Sequence, residues 1–313
     1  RVSNTALGAI SFLVLEVICG ALAVNFGFVN AFWAILTISL IIFMTSLPIS
    51  YYAAKYGLDM DLLTRGAGFG YIGSTISSFV YATFTFILFA LEAVIMAYAL
   101  NMYFGWPIYV WYLISAVIVI PLVTHGVTLI SRIQMITQPI WLFLMVLPFI
   151  FIFAKEPDAI RGLMNFAGSS GYDSTFNIYM FGTAIAIGMA LIPQVGEQVD
   201  FLRFMPEKTQ KNRFRWHLGV IFAGPGWIFI GMIKMFAGVL LAYLVLNGAK
   251  SVEEAVNPTY MYHVAFSYVF SNADVLLAVT VFFVVLSQIK INITNAYAGS
   301  LAWSNFFARL THS

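Results

Sequence analysis

The stretch VLLAVTVFFVVLSQIKIN, residues 275–292, decides the fold class. Its first twelve residues carry no charge, and Thr280 is their only polar side chain. Other uncharged runs cover residues 17–54, 66–91, 93–131, 133–154 and 174–196. A helix needs about 20 mostly apolar residues to cross a bilayer, so these runs predict membrane helices. Lys290 stands where the last apolar helix would continue, either as an anchor at the water interface or as a charge placed in the interior.

Composition points to the same class. Hydrophobic residues make up 61% of the chain and charged residues only 9%, whereas soluble domains contain about 25% charged residues. The runs are continuous rather than alternating, which argues against a β-barrel. A net charge of +2 gives no reason to expect a nucleic-acid partner. No HExxH, CxxC, nucleophile-elbow or Walker motif occurs, and GFGYIG at 68–73 has no strand before it. We therefore expect neither an enzyme nor an organic cofactor.

These patterns predict an all-α integral membrane protein, a polytopic bundle of about eight transmembrane helices. We call them spans 1–8, near residues 5–24, 29–53, 74–103, 107–124, 134–153, 176–196, 217–246 and 274–298. The whole of 1–313 is expected to form one transmembrane domain, with spans 1–5 in about 5–153 and spans 6–8 in about 176–308. Because residue 1 is not Met, we expect the native N-terminus to be missing.

The distribution of Lys and Arg predicts the topology. Ten of the fifteen fall on the side that holds both ends of the chain, two lie within spans, and three fall on the opposite side, namely Lys155, Arg161 and Lys250. Cytoplasmic loops carry the excess of positive charge. Both ends of this chain are therefore expected in the cytoplasm, and the bacterial inner membrane is the expected location.

Charges embedded in apolar sequence mark a candidate network, because a charge in hydrocarbon is costly and normally faces a partner or water. Glu16 in span 1 and Glu92 in span 3 are the acids, and Lys234 in span 7 and Lys290 in span 8 are the bases. Lys234 lies mid-span, where snorkelling to the interface is difficult. A buried Glu16–Lys290 or Glu92–Lys290 pair is one hypothesis.

Span 6 carries the signal of a broken helix. Its sequence GMALIPQVGEQVD places Pro193 between Gly188 and Gly196. Proline removes a backbone donor and disrupts the helix, and transporter sites are commonly built on broken membrane helices. An ordinary kink is the alternative. Span 1 has Gly8 and Gly20 but no proline, so a break there is a weaker inference.

Three stretches together resemble the nucleobase:cation symporter family of purine-cytosine permeases and allantoin and hydantoin transporters. They are AAKYGLDMDLLTRGAGFGYIGS at 53–74, VDFLRF at 199–204 and NAYAGSLAWSN at 295–305. The resemblance implies a five-plus-five inverted-repeat fold of the LeuT type, with substrate between broken spans 1 and 6 and spans 3 and 8. Spans 9 and 10 of that fold would be missing, so the chain looks like a fragment.

The same resemblance implies site positions. It places Leu88 where the family stacks its heterocycle on tryptophan, with Glu92 one turn later, and Met189 and Ala190 at the span 6 substrate position. It places Ser287 and Lys290 on two sodium-ligand positions of span 8. A protonated lysine cannot ligate sodium, so its charge could replace the cation. A four-residue shift of the alignment would instead map Asn292 onto a substrate-binding asparagine.

Function is therefore expected to be secondary active transport, by symport or permease action, of a small nitrogen-rich solute such as a nucleobase. Sodium or protons are the expected coupling ions, and lipid and solute are the expected partners. The alternative from a different class is a transporter-like sensor whose C-terminal fused domains, such as a histidine kinase, carry the signal.

Overall fold

The computed structural model describes residues 8–168 and 174–310. Residues 5–7 of predicted span 1, and Arg1 of the charge count, lie outside the described residues. The described part is helical and contains no strand. Six of its helices are long and apolar enough to cross a membrane, and a shorter apolar helix covers Ile108–Val123. The chain is a multi-pass membrane protein.

All eight predicted spans fall on helix. Spans 1 and 2 lie in one continuous element, Val14–Tyr56, which Gly27 interrupts with a φ of 76°. Span 3 is Gly70–Phe104, span 4 is Ile108–Val117 with Ile120–Val123, and span 5 is Gly126–Lys155. Span 6 is Ile178–Gly188 and Gln194–Leu202, span 7 is Arg213–Ala223 and Trp227–Asn247, and span 8 is Ala273–Leu310. Short helices between spans cover Met60–Thr64, Ala159–Met164, Val252–Ala255 and Pro258–Ser267.

The helix of span 8 is longer than the range near 274–298, because it continues past residue 298 to Leu310. Gly299 is a packing position rather than a stop, because a Cβ there would lie 2.7 Å from Oγ1 of Thr85 in span 3. Its missing side chain brings spans 3 and 8 together, as small residues do at membrane-helix interfaces.

The element that holds spans 1 and 2 packs along span 7 and against the first half of span 6, while span 8 packs along span 3 and against span 5. One large cluster of buried apolar residues fills the space between these helices. Large apolar side chains such as Ile72 and Ile136 are exposed on the outer surface, where lipid would cover them. Every span carries buried polar residues, and among the described residues the buried charged residues of the spans are Glu16, Glu92, Glu197, Asp200, Lys234 and Lys290.

Candidate functional site

Span 1 is interrupted near its start. Residues Ala9–Ser11 form one turn of 3-10 helix, Phe12 is extended with a ψ of 133°, and α-helix resumes at Val14. The two glycines singled out in the sequence have another role. A Cβ on Gly8 would overlap the Gln134 side chain, and one on Gly20 would lie 2.6 Å from Cε of Met261. They permit close packing, and the break falls between them.

A carboxylate faces the amino end of the resumed helix. Glu92 of span 3 is fully buried, and its two oxygens accept from the backbone N–H groups of Leu13 and Val14 at 3.4 Å each. Helix N-termini carry free N–H donors and a partial positive charge, which favour an anion. Glu92 therefore provides acceptors for the free N–H groups at one end of the interruption.

An ammonium faces the carbonyl side of the same interruption. Lys234 of span 7 donates to the backbone oxygens of Ile10 at 2.8 Å and Phe12 at 2.5 Å. Its Nζ also lies 3.4 Å from Oε2 of Glu16, and Oε1 of Glu16 accepts from the Tyr262 hydroxyl at 2.9 Å. A buried charge is tolerated when it is paired and hydrogen-bonded, and Lys234 meets both conditions.

The structure does not form the ion pair expected for Lys290. Within the described residues, Glu16 pairs with Lys234 and Glu92 contacts the backbone of span 1. Lys290 instead donates to oxygens of span 5, namely Oε1 of Gln134 at 2.5 Å, Oγ1 of Thr137 at 3.1 Å and Oε1 of Gln138 at 3.0 Å. Span 8 therefore presents Lys290 to span 5, and the Glu16 carboxylate of span 1 is met by Lys234 of span 7.

Ser287 joins span 8 to two neighbours. Its backbone oxygen accepts from the Ser11 hydroxyl at 3.0 Å, and its own hydroxyl oxygen accepts from the Trp141 indole N–H at 2.9 Å. Spans 1 and 8 are thus linked directly at the level of the interruption. The carbonyl groups of Ile10 and Phe12 accept from the Lys234 ammonium of span 7.

Span 6 departs from regular α-helix between Gly188 and Gly196. The first helix ends at Gly188, residues Met189–Leu191 form a 3-10 turn, and the second helix begins after Pro193. A Cβ on Gly196 would lie 2.6 Å from the Tyr81 ring, so this glycine allows span 6 to approach span 3. Met189 in the turn is partly buried, and its neighbour Ala190 is exposed.

The remaining predicted solute residues lie on spans 3 and 8. Leu88 is 5% exposed and belongs to the apolar cluster around span 1. Asn292 is fully buried, and its amide donates to the backbone oxygen of Phe89 at 3.3 Å. Leu88 and Glu92 share a face of span 3, four residues apart. Of the predicted residues, Glu16 and Glu92 both lie beside the span 1 interruption. Asn292 lies on span 8, and Met189 and Ala190 lie in the turn of span 6.

A cavity of about 600 Å³ separates the second half of span 1 from the first half of span 6. Its lining includes Val17, which follows Glu16, and Ile187, which precedes Gly188. The other lining residues are Ile18, Ala21, Leu22, Asn25, Phe26 and Met180. The lining is largely apolar. Because Val17 and Ile187 each lie near an interruption, the cavity reaches residues beside both interruptions.

Buried acceptors lie beyond the span 6 interruption. Within the described residues, Oε1 of Gln194, Oε1 of Gln198 and Oδ1 of Asn295 are buried without a hydrogen-bond partner, while the Gln194 amide donates to Glu197. Buried polar atoms are normally satisfied. Spans 6 and 8 therefore carry oxygen acceptors that could receive N–H groups of a bound molecule.

The three stretches that carry the family resemblance meet at the end of the bundle opposite the cavity. Arg203 lies 3.5 Å from the Asp59 carboxylate and donates to the Tyr297 hydroxyl at 2.9 Å. Asp200 accepts from the backbone N–H of Met60 and from the Tyr81 hydroxyl, both at 3.3 Å. We call these contacts the Arg203 network. It ties the loop after span 2 to spans 3, 6 and 8.

Sequence reasoning missed the roles of Lys234, Tyr262 and Trp141. Lys234 was identified as an embedded base, but nothing in the sequence shows which carboxylate its helix faces. Trp141 and Phe12 place their rings 5.6 and 5.5 Å from the Lys234 ammonium. The signal in the sequence was the position of Lys234 in the middle of its span, from which the side chain cannot easily reach the membrane interface. In the described residues, no group of three His, Cys, Asp or Glu could hold a metal ion.

Comparison with known proteins gives a fold and no closer relationship. No protein-family model matches the chain, and no curated protein matches it in sequence. Among solved structures, the chain is similar to Mhp1, a nucleobase-cation-symport-1 family transporter in a closed conformation with bromovinylhydantoin bound. The TM-score is 0.66 at 17% identity, over 98% of this chain and 67% of that chain. The chain therefore has the all-α LeuT-type membrane fold.

Proposed function

We propose that this chain is the core of a secondary transporter that moves a small, uncharged, N–H-rich solute. The observation that carries the proposal is the pair of interrupted helices, spans 1 and 6, on either side of one cavity. Irregular backbone at membrane depth is tolerated where it lines a cavity or is buried in protein, and it commonly forms transporter sites. The LeuT-type fold and the earlier motif resemblance support the same function.

The charges at the span 1 interruption favour an uncharged solute. Glu92 contacts its N–H groups and Lys234 contacts its carbonyl groups. Neither end is left for a carboxylate or an ammonium of the solute. Buried oxygens of Gln194, Glu197, Gln198 and Asn295 without a partner in the described part of the chain lie on spans 6 and 8, outside the lining of the cavity, and as acceptors they would favour a solute that carries N–H donors. Nucleobases and hydantoins are neutral rings of that kind.

The residue roles follow from position. Met189 and Ala190 in the span 6 turn would adjoin the solute from one side, and Leu88 and Asn292 would adjoin it from spans 3 and 8. Glu92 would shape the site through span 1. We further propose that both ends of the chain face the cytoplasm of a bacterial inner membrane, as the Lys and Arg distribution predicts.

Counterflow in proteoliposomes tests the transport function. Vesicles containing the full-length protein and unlabelled cytosine, uracil, allantoin or hydantoin are diluted into the labelled compound. We expect saturable exchange of at least one of them. The Ala21→Trp variant, which fills the cavity, should reduce exchange about tenfold or more, while Ala90→Trp on the exposed face of span 3 should retain it.

A solute-sensing role is the second candidate. The observation that favours it is the span 1 interruption, whose polar groups are already satisfied by Glu92 and Lys234 without a bound ion. A sensor would bind one of the four compounds, detected as a rise in the thermal midpoint, without exchanging it. Binding without exchange would therefore support sensing, and exchange would support transport.

A further inference from the structure

The carbonyl groups at the span 1 interruption form a cation position. Free carbonyls at the end of a helical segment carry partial negative charge. The oxygens of Ile10 and Phe12 are directed at one point, where Nζ of Lys234 lies 2.8 and 2.5 Å away. The Glu16 carboxylate adds a full negative charge 3.4 Å from the same point.

The surroundings fit a monovalent cation. The rings of Phe12 and Trp141 place their centroids 5.5 and 5.6 Å from Nζ, at distances typical of cation–π contacts. The Tyr262 hydroxyl donates to the other oxygen of Glu16 and so orients the carboxylate. Lys234 is 1% exposed. Two carbonyls, a carboxylate and two ring faces therefore enclose one positive charge.

The approach of span 7 to span 1 brings the ammonium to this point. Gly238 lies one turn after Lys234, and a Cβ there would lie 2.4 Å from Cα of Glu16. The missing side chain lets the two backbones touch at the residue that supplies the carboxylate. Span 7 is thereby held where the lysine side chain reaches the Ile10 and Phe12 carbonyls.

We propose that the Lys234 ammonium is a built-in cation at the span 1 interruption, and that removing its side chain creates a binding site for a small monovalent cation. One consequence rests on the proposed function: solute exchange by the wild-type protein needs no free cation at this position. The site itself can be tested without transport.

Chemical complementation of Lys234→Ala is the test. This substitution removes three methylenes and the ammonium, which n-propylammonium replaces atom for atom. The full-length variant is purified in detergent, and its thermal midpoint is measured with n-propylammonium, sodium, choline and neutral n-propanol. We expect a saturable rise on the order of 5 °C with n-propylammonium, a smaller rise with sodium, and none with choline or n-propanol. The wild-type midpoint should respond to none of these beyond ionic strength.

A double variant is the control. In Glu16→Gln/Lys234→Ala the carboxylate that requires a cation is gone, so n-propylammonium should have no saturable effect. Equal effects on the single and double variants, or equal effects of n-propanol and n-propylammonium, would overturn the proposal. If Lys234→Ala cannot be purified, Lys234→Met is compared with Glu16→Gln/Lys234→Met. Recovery of folded protein only in the double variant supports the proposal, and equal recovery overturns it.

This measurement separates the two proposals. Complementation of Lys234→Ala without exchange of any solute would refute transport and leave the built-in cation in place. Exchange by the wild type without complementation would refute the built-in cation and leave transport in place.

Discussion

Glu16 and Lys234 form an ion pair across the interface of spans 1 and 7, with 3.4 Å between Oε2 and Nζ, and both side chains are buried. Breaking a buried pair by removing one partner typically costs about 3–5 kcal/mol, because the other charge stays buried and uncompensated. The pair fixes the relation of the two helices at the interruption. Substitutions at Gly238, Glu92 and Lys234 act on this pair or on the polar groups around it.

Gly238→Ala tests the close approach of these helices. Its Cβ would lie 2.4 Å from Cα of Glu16, and overpacking of this kind costs about 1–3 kcal/mol. Gly182→Ala is the matched control, since no atom lies within 4 Å of its added Cβ. We expect a lower thermal midpoint for the first variant, and an equal or higher one for the second because Ala favours helix. Equal midpoints would contradict the packing described here.

Glu92→Gln tests the anionic side of the interruption. The substitution keeps one oxygen acceptor but replaces the other oxygen with an NH2 group, so one of the two backbone N–H groups loses its acceptor at a cost of about 1 kcal/mol. Glu92→Ala should be worse, because two buried N–H groups then lose their acceptor at a cost of about 1–3 kcal/mol. Thermal unfolding of both variants, beside the exposed Glu253→Gln, measures the order. A Glu92→Ala variant as stable as Glu92→Gln would argue against the contacts with span 1.

Arg203→Gln tests whether the Arg203 network holds its end of the bundle closed. Cys19 is the only cysteine in the sequence and is buried in span 1, so its reaction with a maleimide reports opening of the core. We expect labelling about tenfold faster in the variant, because the contacts of Arg203 with Asp59 and Tyr297 are lost together. The control is Arg161→Gln, whose partner Asp158 is 81% exposed; it should label at the wild-type rate.

Glu254 provides a pH-dependent prediction outside the spans. The hydrogen bond from the Ser251 backbone N–H lowers the pKa of Glu254 below its usual 4.5, with the Lys250 charge acting in the same direction. A lowered pKa means that the stabilisation is fully present above 4.5 and is lost as the pH falls through the lowered value. Glu254→Ala should therefore reduce the thermal midpoint at neutral pH, by an amount that shrinks on acidification. A deficit that stays constant at every pH would exclude the carboxylate as its cause.

The spans could be predicted because a continuous apolar run is sufficient to identify a membrane helix. The division between spans 3 and 4 agrees as well, since one helix ends at Phe104 and the next begins at Ile108. The end of span 8 could not be predicted. Whether Gly299 stops a helix or permits a close approach depends on what lies opposite, and here that is Thr85.

Charge pairing could not be predicted for a related reason. The embedded acids and bases were visible, but their partners depend on how each helix is rotated about its axis. Rotation is set by packing, for example by Gly20 and Gly238 between spans 1 and 7. The sequence therefore identifies the charges and offers a pair of Lys290 with an acid as one hypothesis, whereas packing pairs Glu16 with Lys234 and places Lys290 against the oxygens of span 5.

Anomalous diffraction from thallium-soaked crystals of the full-length protein can show whether a free cation binds at the span 1 interruption, because thallium(I) is a monovalent cation with a strong anomalous signal. We predict no peak there in the wild type, where Lys234 fills the position. In Lys234→Ala we predict a peak between the Ile10 and Phe12 carbonyls and Glu16. A peak at that point in the wild type, with Lys234 turned away, would show that Lys234 is not the built-in cation.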